Sequence, residues 1–207
     1  MEKQGKLKMM RGLLFRSASG RRGRPSLLQA FGKDRRGIAA VEFALVLPIL
    51  VVLFIGTVEI SAALTVDRKL SQAASAVADL VAQESNITQA ELNDVMDIAR
   101  STFDPYPSNE VHLVVAGVLM EDDYKPRVQW SEGLNAAKWA KGAAPPIVIP
   151  NELTKSKDTF LVVTHATYTY RPTFVNLFKD IFSTSQIELE DQYYLRPRIS
   201  AQVACCS

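Results

Sequence analysis

Between Glu42 and Glu59 the chain runs for 16 residues, Phe43 to Val58, without a charged side chain, inside a low-polarity stretch from Ile38 to Val66. A bilayer core needs about 20 predominantly apolar helical residues, so residues 38–66 are expected to form one transmembrane helix. At about 1.5 Å per residue the charge-free run covers about 24 Å, which puts Glu42 and Glu59 near the two edges of the hydrocarbon. An ordinary anchor gains nothing from such acids. A carboxylate at the bilayer centre costs roughly 2.5–3.5 kcal/mol, and acids in spans tend to be functional.

The formal charge of +2 hides an asymmetry. Residues 1–37 hold 11 Lys/Arg against two acids; residues 38–207 hold 13 against 20. Positive charge beside a span marks the cytoplasmic side. This predicts a cytoplasmic N-terminus, a basic leader over 1–37 that lacks helical periodicity and is expected to be disordered, and a translocated, periplasmic domain over 67–207. A basic block can also mark nucleic-acid binding, but here it abuts the span, and no nucleic-acid partner is expected.

After the span the helix should continue, because Val66, Leu70, Ala73, Val77 and Val81 recur at steps of three or four. The predicted element runs from Ile38 to about Gln83, apolar all round at first and one-sided later. Ser85-Asn86-Ile87-Thr88 interrupts it. Thr88 and Glu91 form a capping box for a second helix with Leu92, Val95, Met96, Ala99 and Phe103 on one face, stopped by Asp104-Pro105-Tyr106-Pro107. From Val111 the period changes, to a β-rich run and then, over Arg127–Ser131, to polar–apolar alternation. Val111–Met120 and Arg127–Ser131 read as a hairpin around Glu121–Pro126, and Thr159–Tyr170 as a central strand. Residues 132–157 read as a long surface connection, residues 174–182 as a short amphipathic helix, and Gln186–Leu189 with Tyr193–Val203 as one or two final strands. The expected class is α+β: a long N-terminal helix, transmembrane in its first half, and a second helix packed on an antiparallel sheet of four or five strands.

Gly37 and Glu42 take their meaning from what cleavage between Gly37 and Ile38 would produce. It removes the basic leader and exposes an α-ammonium on Ile38. Glu42 of a neighbouring helix can neutralise that ammonium, since intramembrane acids usually pair. The pairing would fix the axial register of adjacent subunits, as a buried polar group does in a coiled coil. Glycine before the bond leaves no side chain to obstruct a protease.

The run Gly37-Ile38-Ala39-Ala40-Val41-Glu42-Phe43-Ala44-Leu45-Val46-Leu47-Pro48, followed by Gly56-Thr57-Val58-Glu59, resembles the TadE-like family of minor pseudopilins from the bacterial Tad/Flp pilus assembly system. The resemblance is dense over about residues 35–83. It implies an inner-membrane, pilin-like precursor cut after Gly37 by an aspartyl prepilin peptidase. Its implied partners are the inner membrane, that peptidase, other pilin or pseudopilin helices and the Tad secretion machinery, in the assembly of an adhesive Flp-type pilus. In the major Flp pilins a tyrosine follows the glutamate; Phe43 stands here. TadG-like relatives carry an Asp-x-Ser-x-Ser metal motif that this chain lacks.

Other residues have plainer readings. Glu59 lies at the far edge, where it either contacts a partner or simply ends the span. Ala40 and Ala44 form a small-xxx-small pair that admits a neighbouring helix, and Pro48 and Gly56 are further candidates for helix packing. His112 and His165 fall on strands as ordinary sheet residues. Cys205 and Cys206 form a candidate disulfide, but adjacent residues bridge only in strained geometry, so one thiol inward and one outward is the favoured arrangement, with an intermolecular bridge as the alternative. There is no phosphate loop, Gly-x-Ser-x-Gly, metal-ligand spacing or Cys-x-x-Cys. The reading is therefore a non-enzyme with no cofactor and no metal. The rival readings are an uncleaved single-pass anchor bearing a binding or sensor module, and a secreted chain cut near Ser61-Ala62-Ala63.

Overall fold

The computed structural model describes residues 37–121, 124–173 and 186–206. The expected leader and the expected short helix at 174–182 lie outside the described residues. By contacts the chain divides between Ile49 and Leu50. The described part of the first unit is helical and exposed at every residue.

Helix α1 spans Ile38–Ala82 and runs through Pro48. Up to Phe54 every side chain is exposed; Val66 is the first buried one. From there Val66, Leu70, Ala73, Ala74, Val77, Ala78, Val81 and Ala82 are buried, the stripe that the spacing predicts. Each fully buried Val or Leu in it contributes about 1.5–3 kcal/mol of transfer free energy.

Strand β1 (Asn86–Ile87) is short, and helix α2 (Gln89–Ser101) follows with the predicted capping box: the Thr88 side chain accepts from the Glu91 N–H while Glu91 accepts from the Thr88 N–H. Leu92, Met96, Ala99 and Phe103 turn inward. A 3-10 turn, Ser108–Glu110, leads into β2 (Val111–Met120), which pairs antiparallel with β3 (Pro126–Leu134) and β4 (Phe160–Tyr170); β5 (Ile187–Leu195) pairs with β4. The sheet order is β3-β2-β4-β5, and β6 (Ala204–Cys205) pairs parallel with β1 in a separate two-stranded sheet. The expected α+β architecture with a four-stranded antiparallel sheet is what the structure holds.

Both helices lie on one face of this sheet. Val66, Leu70, Val77 and Val81 of α1, Leu92 and Met96 of α2, and Leu113, Val115, Val162 and Ala166 of the sheet share one core. Strand β2 is buried on both faces because a second core forms behind it, with Ala116, Val118, Met120, Val128, Leu161 and Val163 under Ile149. This corrects the reading of residues 132–157 as a surface connection. Strand β3 continues to Leu134, and beyond it Trp139, Ile147, Ile149 and Leu153 pack onto the sheet's second face. Gly117 sits under the Trp130 indole. A Cβ there would overlap Trp130 Nε1 and Phe160 Cζ, so glycine is required by close approach.

The end of the chain also departs from expectation. The strand ends at Leu195 rather than continuing toward Val203. Pro197 cannot donate to a ladder, and the segment serves another purpose: the Arg198 N–H donates to the Ala82 carbonyl at 2.9 Å and its guanidinium pairs with Asp79. The terminal carbonyls of a helix need outside donors, and Arg198 supplies one to α1.

Candidate functional site

Gly37, Ile38, Ala40, Glu42, Phe43, Ala44 and Pro48 are all exposed. Ile38 and Phe43 are 58% and 60% accessible, an arrangement suited to lipid or to another helix and costly in water. Glu42 has no hydrogen bond or ion pair with the described residues. Its charge is therefore available to a group outside the chain. A Cβ at Gly37 or Gly56 would meet nothing within 4 Å, so nothing in the described fold requires glycine at either place. Within the apolar run Thr57 Oγ1 donates to the Leu53 carbonyl at 2.9 Å, which satisfies its hydroxyl inside the helix.

Glu59 is placed differently. It is half-buried, and Tyr170 Oη donates to its carboxylate at 2.9 Å. Glu59 thus makes a specific contact with the end of β4 of its own chain. Burial first, then the hydrogen bond to Glu59, pushes the Tyr170 phenol well above its ordinary value of 10.0. Sequence reasoning missed Tyr170, whose partner lies 111 residues away with no local signal to announce it.

Two further arrangements were also invisible in the sequence. Beside Tyr170, a cleft of about 270 Å³ is lined by Ala62, Tyr106, Glu110, Tyr168 and Arg171, and Arg171 Nη1 donates to Glu110 at 2.6 Å. Phe103 and Tyr168 stack with ring centroids 5.4 Å apart. On strand β3, opposite Val115, Glu132 is only 7% exposed and accepts from Gln89 and Lys138 at 2.7 Å each. Burial alone would raise its pKa, but hydrogen bonds from Lys138, Gln89 and the Gly133 N–H overcome that and lower it.

His112 and His165 sit on β2 and β4, paired with the Asn135 carbonyl at 2.5 Å and with Glu190 at 2.9 Å. Among the described residues no cluster of His, Cys, Asp or Glu is fit to hold a metal. Cys205 is half-buried against the main core and Cys206 exposed, and the two are joined in a vicinal disulfide, where the sequence favoured two separate thiols.

Residues 37–79 match the family described as TadE-like protein, which covers the Gly37–Glu42 spacing, the exposed apolar run and most of the buried stripe. The match is consistent with a TadE-like protein of the Tad/Flp system and supports a pilus-associated component. The helix α1 is long and apolar enough to cross a membrane. No curated protein and no solved structure matches the chain.

Proposed function

We propose that this chain is a pseudopilin-type assembly subunit of a Tad/Flp pilus, made as an inner-membrane precursor and cut between Gly37 and Ile38 by a prepilin peptidase. The observation that carries the reading is Glu42, exposed and without a described partner, five residues beyond a glycine that the fold does not need, within the stretch matched to the TadE-like family. Cleavage creates an ammonium on Ile38. In low dielectric that charge needs a counter-ion, and Glu42 of the adjoining subunit supplies it.

In this reading residues 38–66 span the inner membrane, residues 67–207 fold in the periplasm, and the leader stays on the cytoplasmic side until removed. Phe43, Ala40, Ala44, Pro48 and Gly56 form the lipid- and helix-facing surface. The role is structural, with no reaction catalysed. Its partners are the peptidase, other pilin helices and the secretion machinery. N-terminal sequencing of membrane-extracted protein tests it. Ile38 as first residue is the expected result; an intact start supports an uncleaved anchor bearing a sensor or binding module, and a start near Leu64 a secreted protein.

A further inference from the structure

Helix α1 does not lose its exposed apolar surface at Glu59, where the charge-free run ends. Leu53, Thr57, Ile60 and Leu64 follow one another at steps of four, three and four, and all are exposed. Ile60 is 64% and Leu64 49% accessible. On the opposite face Ala62 and Ala63 already pack against the main core. Only at Asp67 and Arg68, both exposed, does the outward face become charged. For about one and a half turns, then, the same helix offers an apolar surface outward and a packed surface inward.

The residues at this level are those that suit the lipid–water boundary. Tyr106, Tyr168 and Tyr170 cluster there, and tyrosine concentrates at headgroup depth. Arg171 stands at the mouth of the cleft, its side chain 62% accessible, with the better-shielded Glu110 behind it at 17%. One N–H of the guanidinium is committed to Glu110, which leaves further donors of its five-donor fork facing outward. Lys69 Nζ is held close by, donating to the carbonyls of Thr102 and Asp104 at 2.7 and 2.9 Å.

We propose that the folded body is seated in the headgroup layer, and that the Tyr106–Tyr170–Arg171 cleft holds the phosphate end of a phospholipid. A hydrocarbon core of about 20 residues, counted back from Glu59, reaches Ala39; the next turn, to Leu64, lies at headgroup depth. The neighbouring acids Glu59, Glu110, Asp67 and Asp104 outnumber Arg68, Lys69 and Arg171 by one, so the cleft suits a zwitterionic headgroup, whose ammonium can face the surplus carboxylate, rather than a net negative one. This rests on the reading of α1 as a membrane anchor.

Full-length protein with Cys205→Ser and Cys206→Ser, carrying a fluorophore on either Thr173→Cys or Ala201→Cys, is reconstituted in phosphatidylethanolamine/phosphatidylcholine liposomes containing a headgroup-nitroxide lipid. Quenching at position 173 is expected to exceed that at 201 by threefold or more. Equal quenching in protein that resists alkaline extraction overturns the seating and leaves the anchor intact. Protein that washes off overturns the anchor and the seating together. Native mass spectrometry of detergent-extracted protein should show one retained phospholipid, lost in Arg171→Gln and kept in Arg171→Lys. Unchanged retention in a folded Arg171→Gln variant overturns the assignment to the cleft.

Discussion

Tyr170, the last residue of β4, donates its phenolic hydrogen to Glu59 of α1 at 2.9 Å. The bond fixes one end of the sheet to the helix just where the charge-free run stops. It is also a hydrogen bond to a charged group, which contributes more than a neutral one.

Tyr170→Phe should therefore lower stability by about 1.5 kcal/mol, and Glu59→Gln by less, because an amide oxygen still accepts. If the two residues act as a pair, the double variant costs less than the sum of the two single ones. Denaturant unfolding in detergent micelles measures this; additive losses would show that the pair is not coupled.

At Gly117 the sheet meets the Trp130 ring with no room for a side chain. Gly117→Ala should cost about 1–3 kcal/mol, the usual penalty for overpacking. It should also shift the fluorescence of Trp130, whose Nε1 donates to the Val203 carbonyl at 2.8 Å. A variant with unchanged stability and emission contradicts the close approach.

Thr164 is fully buried in β4 and its Oγ1 has no hydrogen-bond partner among the described residues. Removing an unpaired buried hydroxyl while keeping the shape is favourable, so Thr164→Val should raise stability by about 1 kcal/mol. Thermal unfolding checks the sign, and a lower melting temperature refutes the prediction.

Glu132 makes a pH test available. Its folded pKa lies below the ordinary 4.5, so the folded state favours the carboxylate more than the unfolded chain does. That contribution is fully present above the unfolded pKa and is lost as pH falls through the folded one. Acidification below about pH 4.5 should therefore destabilise the wild type more steeply than Glu132→Gln. Parallel pH profiles would rule this out.

Replacing Gly37 by Trp should leave the uncut 22.9 kDa chain in membranes, visible as a higher-mass band by immunoblotting. Glu42→Ala should insert normally yet abolish piliation by electron microscopy. Normal piliation in that strain would end the counter-charge role.

The parts of this fold that rest on local rules were readable in advance. The buried stripe Val66–Val81 follows from spacing, α2 from Thr88 and Glu91, and the hairpin from the β-rich run before Glu121–Pro126 and the alternation after it. What escaped depends on distant partners. Ile87 is a strand residue only because Cys205 lies beside it. Trp139 and Ile149 looked like loop residues because the sheet face they cover cannot be seen from their neighbours. In the candidate site, Gly37, Glu42 and Glu59 stood out through glycine and charge against an apolar background. Tyr170, Arg171 and Glu110 did not, since a tyrosine and an ion pair at a strand end are unremarkable until α1 is laid against them.

Helix α1 has two tenancies along one uninterrupted element: exposed side chains up to Phe54, core side chains from Val66. The anchor is thus not a detachable module. Deleting it past Val66 would strip out the first wall of the core, while cutting earlier leaves apolar surface in solvent. Any exchange of membrane segments between such proteins has to preserve helical phase between Glu59 and Val66, because an insertion of one residue there turns Glu59, the partner of Tyr170, by about 100° relative to the buried stripe. The width of the membrane and the packing of the domain are in that sense written on the same ruler.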